Sequence, residues 1–154
     1  MASFINAADV VAAAIEIERR GHAFYCSVQE KTERPDDKEF FAFMAEEEKR
    51  HGAIFQNMLM RIGGLRLPPG SEVDEYLEYL TNLLNSHTLF VPGLEVRILE
   101  APLYQALQFE KDSLLFFIEM ENLVPDAEKP HVRACADEER RHIKLLSKRR
   151  HLFY

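Results

Sequence analysis

The chain has 154 residues, a net charge of −7 from 26 acidic and 19 basic side chains, and 47% hydrophobic residues. A single domain of this length buries a core without disulfides, and its acidic balance repels phosphate backbones, so nucleic acid is not an expected partner. The only cysteines, Cys26 and Cys135, form no C-x-x-C arrangement, which excludes a disulfide framework and a thiolate metal site. Residues 1–6 carry no basic leader, and no apolar run approaches the ~20 residues that span a bilayer, so a cytoplasmic location without membrane association is expected.

The first predicted helix covers 7–32 with Asn6 as its N-cap, and Val11, Ala14, Ile15, Glu18, His22, Tyr25 and Val28 form its inward stripe. Pro35-Asp36-Asp37 is read as the turn into a second helix, which Gly63-Gly64 stops. Its stripe is Phe41, Met44, Glu48, His51, Phe55, Met58 and Ile62, with Phe40 and Phe43 also read as core. Residues 65–101 differ in character: a rigid Leu67-Pro68-Pro69-Gly70 loop, a short amphipathic helix over 72–85, and a stop at Val91-Pro92-Gly93.

The next helix starts near Pro102, a residue tolerated in a first turn, and ends at Val124-Pro125-Asp126. Its stripe is Leu103, Leu107, Glu110, Leu114 and Phe117. The last runs from about Ala127 to the C-terminus, with Val132, Cys135, Glu139, His142, Leu146 and Phe153 inward. The expectation is one all-α domain over 1–154, a four-helix bundle built from helix pairs 7–62 and 102–154. A crossover of this length implies that its second and third bundle helices run parallel.

A phrase is repeated between the pairs: Ala45-Glu46-Glu47-Glu48-Lys49-Arg50-His51 returns as Ala136-Asp137-Glu138-Glu139-Arg140-Arg141-His142. Each copy holds an E-x-x-H pair, and each has a glutamate upstream, Glu18-Arg19 before Phe24-Tyr25 and Glu110-Lys111 before Phe116-Phe117. These four glutamates lie near the midpoints of their helices, so an antiparallel bundle carries them and both histidines to one depth. An unpaired buried carboxylate costs several kcal/mol or takes up a proton, so four at one level call for a shared cation. Glu47 and Glu138 could exchange roles with their neighbours, but they lie off the apolar stripe, which favours Glu48 and Glu139. His22 is read as a satisfied histidine, Cys135 as a packing residue, and the tail Lys148-Arg149-Arg150-His151 as complementing the last helix dipole.

On these residues the chain resembles the rubrerythrin branch of the ferritin-like di-iron carboxylate superfamily. The resemblance implies two iron ions, with manganese or zinc as possible occupants. It casts Glu48 and Glu139 as bridging carboxylates, Glu18 and His51 as terminal ligands of one metal, and Glu110 and His142 as those of the other. Tyr25, two turns after Glu18, is the catalytic candidate, hydrogen-bonded to a ligand carboxylate. Rubrerythrins often carry a further glutamate one turn before the third-helix ligand, where this chain has Leu107. No rubredoxin module is expected after His142, so a separate rubredoxin-like protein would donate electrons. The implied function is a di-iron oxidoreductase acting on peroxide or O2 as a homodimer. The alternatives are a ferroxidase of the iron-storage type, a hydroxylase with a larger organic substrate, and an interaction module that metals merely brace.

Overall fold

A computed structural model describes residues 4, 6–62, 71–93 and 101–149. The Gly63-Gly64 stop, the Leu67-Pro68-Pro69-Gly70 loop, Arg150, His151 and Phe153 lie outside the described residues. Helix α1 spans Ala7–Lys31. Asn6 caps it as expected: its side-chain oxygen accepts from the Asp9 amide at 3.0 Å while the Asp9 carboxylate accepts from the Asn6 amide at 3.1 Å. Helix α2 spans Pro35–Ile62. Pro35 therefore opens the helix rather than forming a turn before it, because a first-turn residue needs no amide donor, and Asp36 and Asp37 favour the positive helix end.

The crossover contains α3, Ser71–Ser86, and a 3-10 turn, Thr88–Phe90. Helix α4 spans Pro102–Met120 and passes through a second 3-10 turn, Glu121–Leu123, toward α5, Lys129–Ser147. Helix α1 packs along α2 and α4 along α5, while α1–α4 and α2–α5 contacts close the bundle and α3 lies against α4. The result is an all-α, ferritin-like four-helix bundle. Among the described residues, no helix is long and apolar enough to cross a membrane.

Two apolar clusters fill the interior. One gathers the N-terminal halves of α1 and α5 with the C-terminal halves of α2 and α4, including Ile17, Phe55, Phe117 and Val132, and extends to Leu80 of α3. The other holds the opposite ends: Phe24, Phe41, Phe109 and Leu146. This division shows that α2 and α4 run parallel and that α1 and α5 oppose them, as the long crossover requires. Phe43, read as core from sequence, is 47% exposed because it lies too far round α2 from the Phe41, Met44 and Glu48 stripe. Phe40 stays buried, with the Arg149 guanidinium 4.3 Å above its ring.

Ion pairs join α2 to the residues flanking both ends of α5. Arg61 donates to both carboxylate oxygens of buried Glu128, at 2.7 and 2.8 Å. At the other end Arg149 donates to buried Asp37 at 2.8 Å. Arg149 was expected to serve the dipole of its own helix; here it reaches a carboxylate on α2.

Candidate metal centre

Between the two apolar clusters lies a polar layer. The α1 stripe brings Glu18 to it, α2 contributes Glu48 and His51 one turn apart, α4 contributes Glu110, and α5 contributes Glu139 and His142. None of the six is more than 2% exposed. Ligand-capable atoms of Glu18, Glu48, His51 and Glu139 all lie within 4.8 Å of one another, and the same holds for Glu48, Glu110, Glu139 and His142. Glu48 and Glu139 belong to both groups.

Both imidazoles turn Nδ1 into the layer. His51 Nδ1 is 3.0 Å from Glu139 Oε1 and 3.7 Å from Glu18 Oε2. His142 Nδ1 is 3.5 Å from Glu110 Oε1 and 3.8 Å from Glu48 Oε1. The two rings stack with centroids 5.6 Å apart.

Among the described residues, the buried side-chain atoms without a hydrogen-bond partner are Asn85 Nδ2 and atoms of these six side chains, including both oxygens of Glu18 and Glu139 and both Nδ1 atoms. Native interiors leave few such atoms, because each forfeits its solvation. Carboxylate oxygens and imidazole nitrogens converging without protein partners form a donor set suited to first-row divalent metals. The residues present therefore fit a metal pair. The rubrerythrin family model matches residues 9–150.

The chain belongs to the rubrerythrin family. That family implies a di-iron centre, and two buried metal-capable groups are present among the described residues. Neither a curated protein nor a solved structure matches the chain.

The metal-free layer is electrostatically strained. Burial, reinforced by the charges of the other glutamates, raises Glu48 and Glu139 well above the usual carboxylate range. Burial would also raise Glu110, but the neighbouring Glu139 and His142 side chains and the Tyr25 hydroxyl bring it down to about 2. Tyr25, fully buried, donates to Glu110 Oε1 at 2.6 Å. Its own pKa lies well above 10, first through burial and then through the Glu110 charge. The carboxylate it serves is thus on the opposite helix pair, not Glu18 on its own helix.

Glu47 and Glu138, set aside in the sequence reading, lie on the outer faces of the histidines. Glu138 Oε2 is 2.7 Å from His51 Nε2 and orients that imidazole from the other repeat, while Glu47 Oε2, 3.8 Å from His142 Nε2, faces the second ring without a hydrogen bond. A carboxylate on Nε2 fixes the ring with its Nδ1 lone pair free for a cation. Arg50 joins the two carboxylates, donating to Glu47 at 2.6 Å and also to Glu138. The signal was present as a doubled E-E-x-x-H with arginine before histidine. Its crossing from one repeat to the other is a tertiary fact.

The remaining candidates are otherwise engaged. His22 Nδ1 donates to the Ala45 carbonyl at 2.8 Å, which leaves Nε2 to face Cys26 Sγ at 3.5 Å. Cys135 is buried in the apolar cluster, where burial pushes its thiol up to about 12. A glycine signal was also missed: a Cβ placed on Gly21 would lie 2.9 Å from Glu48 Oε2, so this helix–helix approach makes room for the Glu48 carboxylate.

Proposed function

We propose that the protein is a non-haem di-iron oxidoreductase that reduces hydrogen peroxide with electrons from a separate carrier protein, in a reducing cytoplasm where Cys26 and Cys135 stay free. The observation that carries this reading is the convergence of partnerless buried donor atoms on six side chains of a rubrerythrin-family bundle. In this reading Glu18, Glu48, His51 and Glu139 would hold one metal and Glu48, Glu110, Glu139 and His142 the other, with Glu48 and Glu139 common to both. Four carboxylates balance the charge of two divalent cations. A bound iron pair would supply two one-electron equivalents for O–O cleavage.

The protein's own part is positioning. Glu138 holds the His51 imidazole by its outer nitrogen, Tyr25 holds Glu110 by its proton, and Phe55, Phe117, Phe41 and Phe109 on either side keep bulk water from the layer. Manganese and zinc suit the same donors, so metal identity is decided by analysis of the purified protein.

The test is a single turnover. Reduced, iron-loaded protein should consume one peroxide per site and then stall, and a rubredoxin-type carrier with its reductase should restore cycling. Reaction with O2 far faster than with peroxide, together with assembly of a mineral-filled shell, would replace this reading with iron storage.

A further inference from the structure

The α1–α2 face carries a cleft of about 330 Å³ whose inner wall includes Glu18 and Glu48. The rest of the wall is formed by Ile15, Gly52, Ala53, the His22 ring and the side chains of Arg19, Lys49 and Gln56, and most of its surface is apolar. His22 adds little polarity, because its Nδ1 is committed to the Ala45 carbonyl and its Nε2 faces Cys26. An apolar cavity of ~150 Å³ is enough for benzene, and small-molecule sites begin near ~300 Å³. The cleft therefore has more room than hydrogen peroxide or O2 needs.

The duplication explains why the cleft lies on this pair. The step that maps Glu48 onto Glu139 maps Gly52 onto Ile143 and Ala53 onto Lys144, and the step from Glu18 to Glu110 maps His22 onto Leu114. The first pair is small where the second is bulky. A Cβ on Gly52 would meet only Glu18 Cβ, at an ordinary 3.6 Å, so no close packing demands glycine there. In mid-helix it costs about 1 kcal/mol relative to alanine, and open space is what it provides.

We propose that this cleft is the organic-group subsite of the centre, and that the protein reduces organic hydroperoxides bearing a compact apolar substituent. This rests on the peroxide-reducing function proposed above. The substituent lies against Ile15, Gly52 and Ala53, and the peroxide oxygens point to the Glu18 and Glu48 end. In the reaction the O–O bond breaks, two protons are taken up, and an alcohol and water leave. A one-electron carrier protein supplies the two electrons in succession.

The probes are cumene hydroperoxide, hydrogen peroxide and the unreactive product 2-phenyl-2-propanol. Metal-free wild type should bind the alcohol, with NMR shifts confined to residues of the α1–α2 face. Gly52→Ile, which copies the second repeat, and Ala53→Leu, which fills the cleft away from Glu18, should each weaken that binding at least tenfold. In iron-loaded protein, both should lower the ratio of kcat/KM for cumene hydroperoxide to that for hydrogen peroxide by a similar factor. No alcohol binding to wild type, or a ratio unchanged in both variants despite native helical content, overturns the proposal. If loaded protein reduces no peroxide at all, the functional reading falls, while Gly52-dependent alcohol binding still upholds the cleft as an organic-ligand site.

Discussion

In the second helix pair Glu110 accepts the Tyr25 hydroxyl at 2.6 Å, whereas in the first pair neither oxygen of Glu18 has a partner. The step that maps Glu18 onto Glu110 also maps Tyr25 onto Phe117, which has no hydroxyl to offer. It maps Gly21, which leaves room for Glu48, onto Ser113, which binds His87 of the crossover. In the first half-site Glu18 is thus unpartnered and faces a cleft, while in the second Glu110 is braced by Tyr25 and the helix lies beside the crossover. Duplication supplied two equivalent sets of ligand atoms; divergence of their neighbours made one half tight and the other accessible.

The largest effect should come from what the halves share. Glu48→Ala or Glu139→Ala removes a carboxylate from both groups and should drop the metal content from two per chain to below one, whereas Glu18→Ala or Glu110→Ala should leave one metal bound, as read by elemental analysis. Without metal the sign changes. Deleting one of four crowded carboxylates relieves repulsion, so metal-free Glu48→Ala should melt at or above wild type. A markedly lower melting temperature would make the cluster a structural network.

The crossover clamp should respond to pH. His87 is buried, accepts from the Leu89 amide at 3.1 Å and donates to Ser113 Oγ at 2.9 Å, and burial depresses its pKa to about 4. Its folded value lies below the unfolded one, so the unfolded chain takes up the proton first. The stability contributed is present above about 6.5 and is lost as pH falls through about 4, up to about 3 kcal/mol. Denaturant unfolding of His87→Gln should lack that part of the wild-type pH dependence; superimposable pH profiles would contradict it.

Tyr25→Phe makes the second half-site resemble the first. Loss of an outer hydrogen-bond partner typically lowers metal affinity by about 10- to 100-fold, so the Glu110 and His142 half-site should weaken into that range. Release to a chelator should be biphasic in wild type and approach a single phase in the variant. Biphasic release unchanged by the substitution would mean that Tyr25 is not the source of the difference between the halves.

Gly21→Ala should have the smallest effect. With no metal, the end of the Glu48 side chain can swing away from the new methyl, and alanine favours the helix by about 1 kcal/mol, so stability should hold or rise. With metal bound the carboxylate is held, and affinity should fall several-fold by titration. Equal affinities would show that Glu48 does not lie against Gly21 in the loaded protein.

Much of this was legible in the sequence because it repeats and is local. Asn6 and Asp9 announce a cap, and the stripes through Glu18, Glu48, Glu110 and Glu139 place each glutamate at mid-helix, so helix length alone sets the depth of the layer. The crossover length implied the parallel pair that the two apolar clusters display. Contacts between helices were not legible. The Tyr25 bond to Glu110, the Glu138 bond to His51 and the Arg149 pair with Asp37 join positions 85 to 112 residues apart, and no periodicity along one helix encodes them. Phe43 failed because an aromatic residue flanking a stripe reads as core until its angle to the neighbouring helix is known.

The central claim is that the polar layer holds two metals which share Glu48 and Glu139. A crystal structure of iron-loaded protein with anomalous scattering measured at the iron edge tests it most directly. Two peaks roughly 3.5–4 Å apart, one beside His51 Nδ1 and the other beside His142 Nδ1, are expected. A single peak, or iron held on the outer Glu47, His51 Nε2 and Glu138 face, would contradict it.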